Sequence, residues 1–302
     1  MSRSLRASLS KLRAAEAGRL AGSSLSAAQR KALETFARQT GAVASQPSGR
    51  GIVYRVVEAA VVEQHWRNLA PVDVVSLDRT LPIRSANIAQ TRGSKSARHG
   101  HDVHYLLLKG VGPVIWQDSN GHHLDLQLAT QQQGAAVLAI HKDPHSDQGW
   151  QANEPLWLVE NQALFDRLDW LPDESPQTIA YYGGHVRKNL IDWLAVRPRA
   201  ASIRFFPDYD GVGLHNYARI KLRLGDSVSL WMMPDWESCL SHYGNNQLWQ
   251  KTALDFNAAI RLLAPLLAAE PELQHLITAM QSQGLALEQE AVWLGGRGTP
   301  SP

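Results

Sequence analysis

Three acidic residues offer the clearest chemistry in this sequence. Asp208 and Asp210 stand one residue apart in "SIRFFPDYDGVGL" (202–214), where an apolar run breaks. Glu160 closes an earlier apolar run, "PLWLVE". Carboxylates at the end of a buried strand are costly unless something compensates them. Residues two apart point the same way while the chain stays extended, so Asp208 and Asp210 share a direction. If the two strands lie near one another, Glu160 faces the pair. Three hard oxygen ligands at one sheet edge then suit Mg²⁺, with room left for water and a phosphate. Two other uses compete for the same residues: Asp208 as a covalent phosphoryl acceptor, and Asp210 as a plain helix N-cap.

The elements that must position these acids are read from the chain after Glu154. "PLWLVE", "TIAYYGG", "SIRFFPD" and "SVSLWMM" are apolar strands, and "NQALFDRLDWL", "HVRKNLIDWLAV" and "GLHNYARIKLRLG" are the helices between them. Continuous apolar strands alternating with helices predict a parallel sheet covered on both faces, a Rossmann-like α/β domain over 151–302. Functional groups of such sheets gather at the carboxyl ends of the strands, which is where Glu160, Asp208 and Asp210 fall. Gly211 and Gly213 are expected to let the backbone turn into the next helix. His185 follows Gly183 and Gly184 at the end of the second strand and is a candidate phosphate contact or proton carrier. The tail from "LWQKTALDFNAAIRLLAPLLA" through "ELQHLITAMQSQGLALEQEAVWL" reads as helical.

The front of the chain has a different rhythm. Ser26 and Gln29 make a capping box for a helix that stops at Gly41. "AVASQPSGRGIVYRVV" reads as two strands around a turn, and "EAAVVEQHWRNL" as a helix ending before Pro71. A helix followed by a basic-tipped hairpin predicts a winged-helix-like region over 1–71, with Arg50 and Arg55 meeting phosphates. Residues 72–150 read as a β-rich connecting region. Its polar loop "RSANIAQTRGSKSARHG" adds Arg92 and Lys95 as DNA contacts. Seven of the twelve histidines lie between His99 and His145, at spacings that fit no metal template.

Composition narrows the classes. Hydrophobic residues make up 44% of 302 positions, enough for a folded core and more than one domain. No apolar run is long enough for a signal peptide or a membrane span, which predicts a cytoplasmic protein without a membrane partner. The single cysteine, Cys239, excludes an internal disulfide framework. The net charge of +2 hides an asymmetry: residues 1–110 carry about ten more Lys and Arg than Asp and Glu, and the remainder is acidic by about eight. A basic front and an acidic back predict a polyanion-binding half joined to a cation-binding half.

A glutamate ending one strand, followed by Asn161 and a helix, then "YYGGH", then Asp-x-Asp followed by glycine, resembles the Toprim domain of topoisomerases, primases and related nucleases. The likeness is closer to the topoisomerase VI A-subunit group. Within it the chain is similar to the JetD nuclease family of the condensin-like Wadjet (MksG-type) anti-plasmid defence systems. "VEN" and the Asp-x-Asp-Gly run occur there in this order, behind a winged-helix region. The resemblance covers residues 150–240 well and the front only by architecture. It implies a divalent-metal-dependent DNA endonuclease in which Asp208 and Asp210 bind Mg²⁺ or Mn²⁺. Glu160 is implied as a third ligand or as general acid/base. It also implies a homodimer within a condensin-like ATPase complex.

Two departures stand out: Pro207 precedes Asp208, and the surroundings of Tyr54 in "GIVYRVV" do not resemble a nucleophilic-tyrosine motif. Water is therefore the expected attacking group. "FFPDYDGVGL" also resembles the opening motif of haloacid-dehalogenase-like phosphatases, although two strand–helix units precede it here. A non-catalytic DNA-binding or assembly subunit is the third reading.

Overall fold

The structure, a computed structural model, describes residues 2–49, 51–69, 81–91, 94 and 101–295. The chain divides into two compact units, Met1–His101 and Asp102–Pro302.

In the first unit, α1 (Ser2–Ala14), α2 (Ala27–Thr40) and α3 (Ala59–Leu69) accompany a three-stranded antiparallel sheet in the order β1-β3-β2. The strands are β1 (Arg19–Ala21), β2 (Val43–Ser48) and β3 (Gly51–Val56), and α4 spans Ile83–Thr91. The capping box at Ser26 and Gln29 forms, and Gly41 closes α2 in the left-handed conformation. These local signals act as expected because they satisfy backbone groups that a helix end leaves unpaired. Leu9, Leu12, Leu33, Phe36 and Tyr54 form the buried core. Tyr54 is fully buried, and its hydroxyl donates to Glu34 Oε1 at 2.8 Å. Burial first, and the Glu34 carboxylate second, push its pKa up to about 12. It is a core strand residue. Arg55 is exposed and stands directly opposite exposed Arg19 across the β1–β3 pair.

The second unit is mixed α/β around a six-stranded sheet in the order β11-β10-β8-β9-β4-β7. Its strands are β4 (Val103–Val111), β7 (Ala136–His141), β8 (Leu156–Val159), β9 (Gln177–Tyr181), β10 (Ile203–Phe206) and β11 (Val228–Leu230). The pairs β11–β10, β10–β8 and β8–β9 are parallel, as expected for "LWLV"-type runs buried on both faces. The sheet is not purely parallel, because β4 pairs antiparallel with both β9 and β7. The boundary expected at residue 150 therefore falls between β7 and β8, two strands of one sheet. Alternating burial along β4 marks a strand that covers one face, but alternation does not say which neighbour it pairs with.

Between these strands lie a small hairpin, β5 (Ile115–Gln117) with β6 (His123–Asp125), and α5 (Leu126–Gln133). The expected hairpin around Asn120-Gly121 forms, yet "LDLQL" turns helical after Asp125. The Asp125 carboxylate accepts the Leu128 N–H at 2.9 Å and so caps α5. The remaining helices are α6 (Gln162–Asp166), α7 (Lys188–Val196), α8 (Gly211–Leu224), α9 (Trp236–Tyr243), α10 (Asn246–Leu263) and α11 (Pro271–Gln283). Among the described residues no helix is long and apolar enough to cross a membrane.

Helices α8 and α10 touch where α8 begins. A β-carbon at Gly211 would press on the Thr252 carbonyl and lie 2.6 Å from Phe256 N, and one at Gly213 would meet the Asp208 carbonyl. Neither glycine has a positive φ. Close backbone approach, and not the freedom to turn expected from the sequence, is what demands glycine here. Gly211→Ala is expected to cost about 1–3 kcal/mol or more in urea-unfolding free energy through overpacking. An unchanged unfolding midpoint would show that α10 is free to yield.

Candidate functional site

Strands β8 and β10 are hydrogen-bonded neighbours whose last residues, Val159 and Phe206, are paired in register. The segments that follow leave the sheet side by side. The Asp208 N–H donates to Glu160 Oε2 at 3.3 Å, so the first and third strands do bring these acids together. Tyr182, just beyond β9, donates its hydroxyl to the same oxygen at 3.0 Å. Asp210 is the N-cap of α8 and accepts the Gly213 N–H at 2.7 Å.

A further set of groups arrives from the C-terminal segment. Helix α11 stops at Gly284, which adopts the left-handed cap conformation, so the tail is not helical throughout as expected. Leu287 and Tyr209 then exchange backbone hydrogen bonds at 2.8 and 3.0 Å. This bridge delivers Glu288, Gln289 and Glu290 to the acids. The Gln289 N–H donates to Asp208 Oδ1 at 2.9 Å, and its buried side chain spans both strand ends. Its Nε2 donates to the Phe206 carbonyl and its Oε1 accepts the Asn161 N–H at 2.8 Å. Asn161 Nδ2 donates to Glu290 Oε1, while Glu290 Oε2 is buried without a hydrogen-bond partner. Sequence reasoning placed none of Tyr182, Glu288, Gln289 or Glu290 here. Gly284 before "LALEQE" was the available signal, since it ends a helix and frees the acids beyond it.

The result is a crowd of acids around a partly desolvated strand edge, with Asp210 buried and Glu160, Asp208 and Glu290 partly so. Burial is the main cause that lifts Glu160 to about 8, and the Asp208 charge adds to it against the Tyr182 hydrogen bond. Burial likewise lifts Asp208 to about 7, opposed by the Gln289 amide and reinforced by Asp210, Glu290 and Glu288. Asp210 is also raised by burial despite the amides that donate to it. Among the described residues, no Lys, Arg or His forms an ion pair with Glu160, Asp208, Asp210, Glu288 or Glu290.

For a divalent metal the donor chemistry fits: all-oxygen, anionic, partly desolvated, with one buried carboxylate oxygen unpartnered. Position is a separate matter. Among the described residues, no three Asp, Glu, His or Cys side chains as placed converge on a point that would hold a metal ion. Glu160, Asp208, Asp210 and Glu290 each lean instead on an amide or hydroxyl, so gathering them around a cation requires side-chain rotation.

The other expected site residues lie apart from this cluster. His185 is exposed beyond Gly183 and Gly184, with Nε2 2.9 Å from Arg219 Nη1. Arg55 belongs to the N-terminal unit. Arg50, Arg92 and Lys95 lie outside the described residues.

A family model described as Domain of unknown function (DUF7281) matches residues 117–294, a span that holds all five carboxylates. No curated protein matches the chain.

A raised carboxyl pKa means that the folded chain keeps protons which the unfolded chain has released. Stability from Glu160 is then full below about pH 4.5 and is lost as pH rises through about 8. In metal-free buffer the melting temperature should fall between about pH 5 and about pH 8. Glu160→Gln should flatten that decline and raise the melting temperature at the alkaline end. A wild-type profile that is flat or rising over this range would contradict the crowding of these acids.

Proposed function

Since the chain belongs to the DUF7281 family, whose description names no activity, its own residues must supply the reading, and we propose a divalent-metal-dependent DNA endonuclease. One observation carries this proposal: Glu160, Asp208 and Asp210 stand together at the carboxyl edge of neighbouring parallel strands, Asp210 buried and the other two partly so, with no protein counter-cation among the described residues. Strand ends of this kind are where α/β sheets place their functional groups. The Toprim likeness of "VEN" and "PDYDG", the reading of the first unit as winged-helix-like, a homodimer, a condensin-like ATPase partner and a cytoplasmic location all belong to this proposal.

In this reading Asp208 and Asp210 would hold Mg²⁺ or Mn²⁺, with Glu160 as third ligand or proton carrier. Bound there, the ion would neutralise charge on the scissile phosphate and on the leaving oxygen. The chain's own groups do the remaining work. The Tyr182 hydroxyl and the Asp208 amide hold Glu160 Oε2 in place. Without metal the Glu160 carboxyl, raised to about 8, holds a proton near neutral pH, which suits it to a proton-carrying role if it is not itself a ligand. The amides of Gln289 and Gly213 fix the two aspartates to the tail and to the start of α8. Tyr54 is buried against Glu34, which supports water over a tyrosine as the attacking group. Arg55 beside Arg19 would give the first unit an exposed cationic position for the DNA backbone.

One observation favours the non-catalytic reading: Asp210 does cap α8. A cap is indifferent to Mg²⁺, whereas an ion-binding cluster is not. Under the nuclease reading the metal-free protein at about pH 8 should gain about 2.7 kcal/mol at a Mg²⁺ or Mn²⁺ concentration one hundred times Kd. Glu160→Gln and Asp210→Ala should each abolish Mn²⁺-dependent plasmid cleavage while DNA affinity measured in EDTA stays within about threefold of wild type. Retained cleavage in either variant refutes the assignment. Hydrolysis of a small phosphomonoester through a phosphorylated Asp208 would favour the phosphatase alternative instead.

A further inference from the structure

Beside the acidic cluster, α8 carries a cationic face that the metal chemistry leaves unused. His215 and Arg219 are one turn apart on this helix, which brings them to the same side. The loop after β9 is pinned against them. Gly183 and Gly184 both take positive φ, the buried Asn216 side chain donates to the Gly184 carbonyl at 3.1 Å, and the Val186 N–H donates to Asn216 Oδ1 at 3.2 Å. This sets His185 over Arg219.

The hydrogen bonds of Arg219 are lopsided. Its Nη1 donates to His185 Nε2 at 2.9 Å, to the Val186 carbonyl at 3.0 Å and, more weakly, to Asn216 Oδ1 at 3.4 Å. Its Nε and Nη2 meet no acceptor among the described residues, and no carboxylate there pairs with it. A guanidinium only donates, so His185 Nε2 must be the acceptor and the ring proton sits on Nδ1. Burial, then the Arg219 and His215 charges, hold the imidazole below its ordinary pKa, in keeping with a neutral ring. Two sets of N–H donors, His185 Nδ1 and the free edge of Arg219, thus stand together at a half-exposed guanidinium that pairs with no carboxylate among the described residues, with the Asp255 charge felt at His185.

Helix geometry gives the spacing from the acids. At 1.5 Å per residue, His215 lies about 7 Å and Arg219 about 13 Å along α8 from its cap, Asp210. That is a few nucleotide steps along a DNA strand. The two regions also sense one another electrostatically. Asp255 stands 3.5 Å from His215 Nδ1, and its charge helps to raise the pKa of Asp210.

We propose that Arg219 and His185 form an anion subsite for a backbone phosphate of the substrate, with Arg219 as the anchor and His185 Nδ1–H as the second donor. The identity of the anion as a nucleic-acid phosphate rests on the nuclease reading. The subsite geometry does not. Arg219 would position substrate and would not act on the reacting bond.

The test is binding of a labelled single-stranded oligonucleotide by the full chain in EDTA, across a salt series, for wild type and Arg219→Gln. Loss of one phosphate contact should weaken binding about tenfold at low salt and reduce the salt slope by about one. Cleavage assays should show the same loss in KM with kcat little changed. In parallel, inorganic phosphate should shift the ¹⁵N-imidazole signals of His185 in the wild-type protein, a reading that does not depend on the variant folding. Unchanged affinity and slope in a folded Arg219→Gln protein, a wild type that does not bind the oligonucleotide, or His185 signals indifferent to phosphate would each overturn the subsite. Arg219-dependent binding without metal-dependent cleavage would instead sink the nuclease reading and leave the subsite standing. Cleavage with Arg219-independent binding would do the reverse.

Discussion

Strands β8 and β10 end at the same height, and this one pairing forces Glu160 and Asp208 into a shared, partly buried space. Parallel neighbours in register deliver their next residues side by side, so the Asp208 backbone N–H reaches the carboxylate of Glu160, 48 positions earlier in sequence. Charges on Glu160 and Asp208 repel in surroundings of low polarity, where Coulomb terms are strong. The Tyr182 hydroxyl, the Asp208, Gln289 and Gly213 amides, and retained protons each relieve part of that repulsion. The arrangement of the helices and tail around these strand ends follows from the need to hold acids there at all.

Strand β10 ends in an aromatic cluster. Phe206, Trp231, Trp157 and Trp170 pack with ring centroids between 4.6 and 5.7 Å. Tyr209, between the two aspartates, donates to the Trp231 carbonyl and accepts the Met233 N–H, which fixes the loop onto this cluster. Burial is the largest cause of the raised Glu160 and Asp208 pKa values, and Tyr182, which touches Glu160, stacks on Phe205. On the other side, Gly211 and Gly213 let α10 and the Asp208 carbonyl approach without a side chain between them.

Much of this was legible in the residues, because local signals carried it. Buried apolar runs marked β8, β9, β10 and β11, and the break at Asp208 marked a strand end. Ser26 with Gln29, and Gly41, marked the limits of α2. What was not legible depended on partners distant in sequence. β4 alternates in a way that many neighbours would satisfy, so its antiparallel place in the sheet had to be seen. Glu288, Gln289 and Glu290 sat in a run that read as helix until Gly284 ended it, and only the Tyr209–Leu287 bridge brings them to the acids. Gly211 and Gly213 read as turn formers, whereas their role is absence of volume. Arg219 looked like one more basic residue on a helix until the His185 loop was laid over it.

Helix α8 carries both halves of the chemistry on one rigid rod. Its first turn offers backbone N–H groups and the positive end of its dipole to Asp210, which ordinarily favours a charged carboxylate. The Asp210 pKa is nonetheless raised, so the helix end does not offset burial and the neighbouring acids. Protons neutralise these acids at lower pH, and under the proposed function a cation would do so when the protons leave. Binding of such a cation would displace the protons held by Glu160 and Asp208, which ties metal affinity to pH through the same strand pairing. Farther along the rod, Arg219 waits with the opposite need, a positive charge lacking an anion. A phosphodiester that brings negative charge to Arg219 and shares a metal with Asp208 and Asp210 would satisfy both demands at a spacing fixed by the rise of one helix.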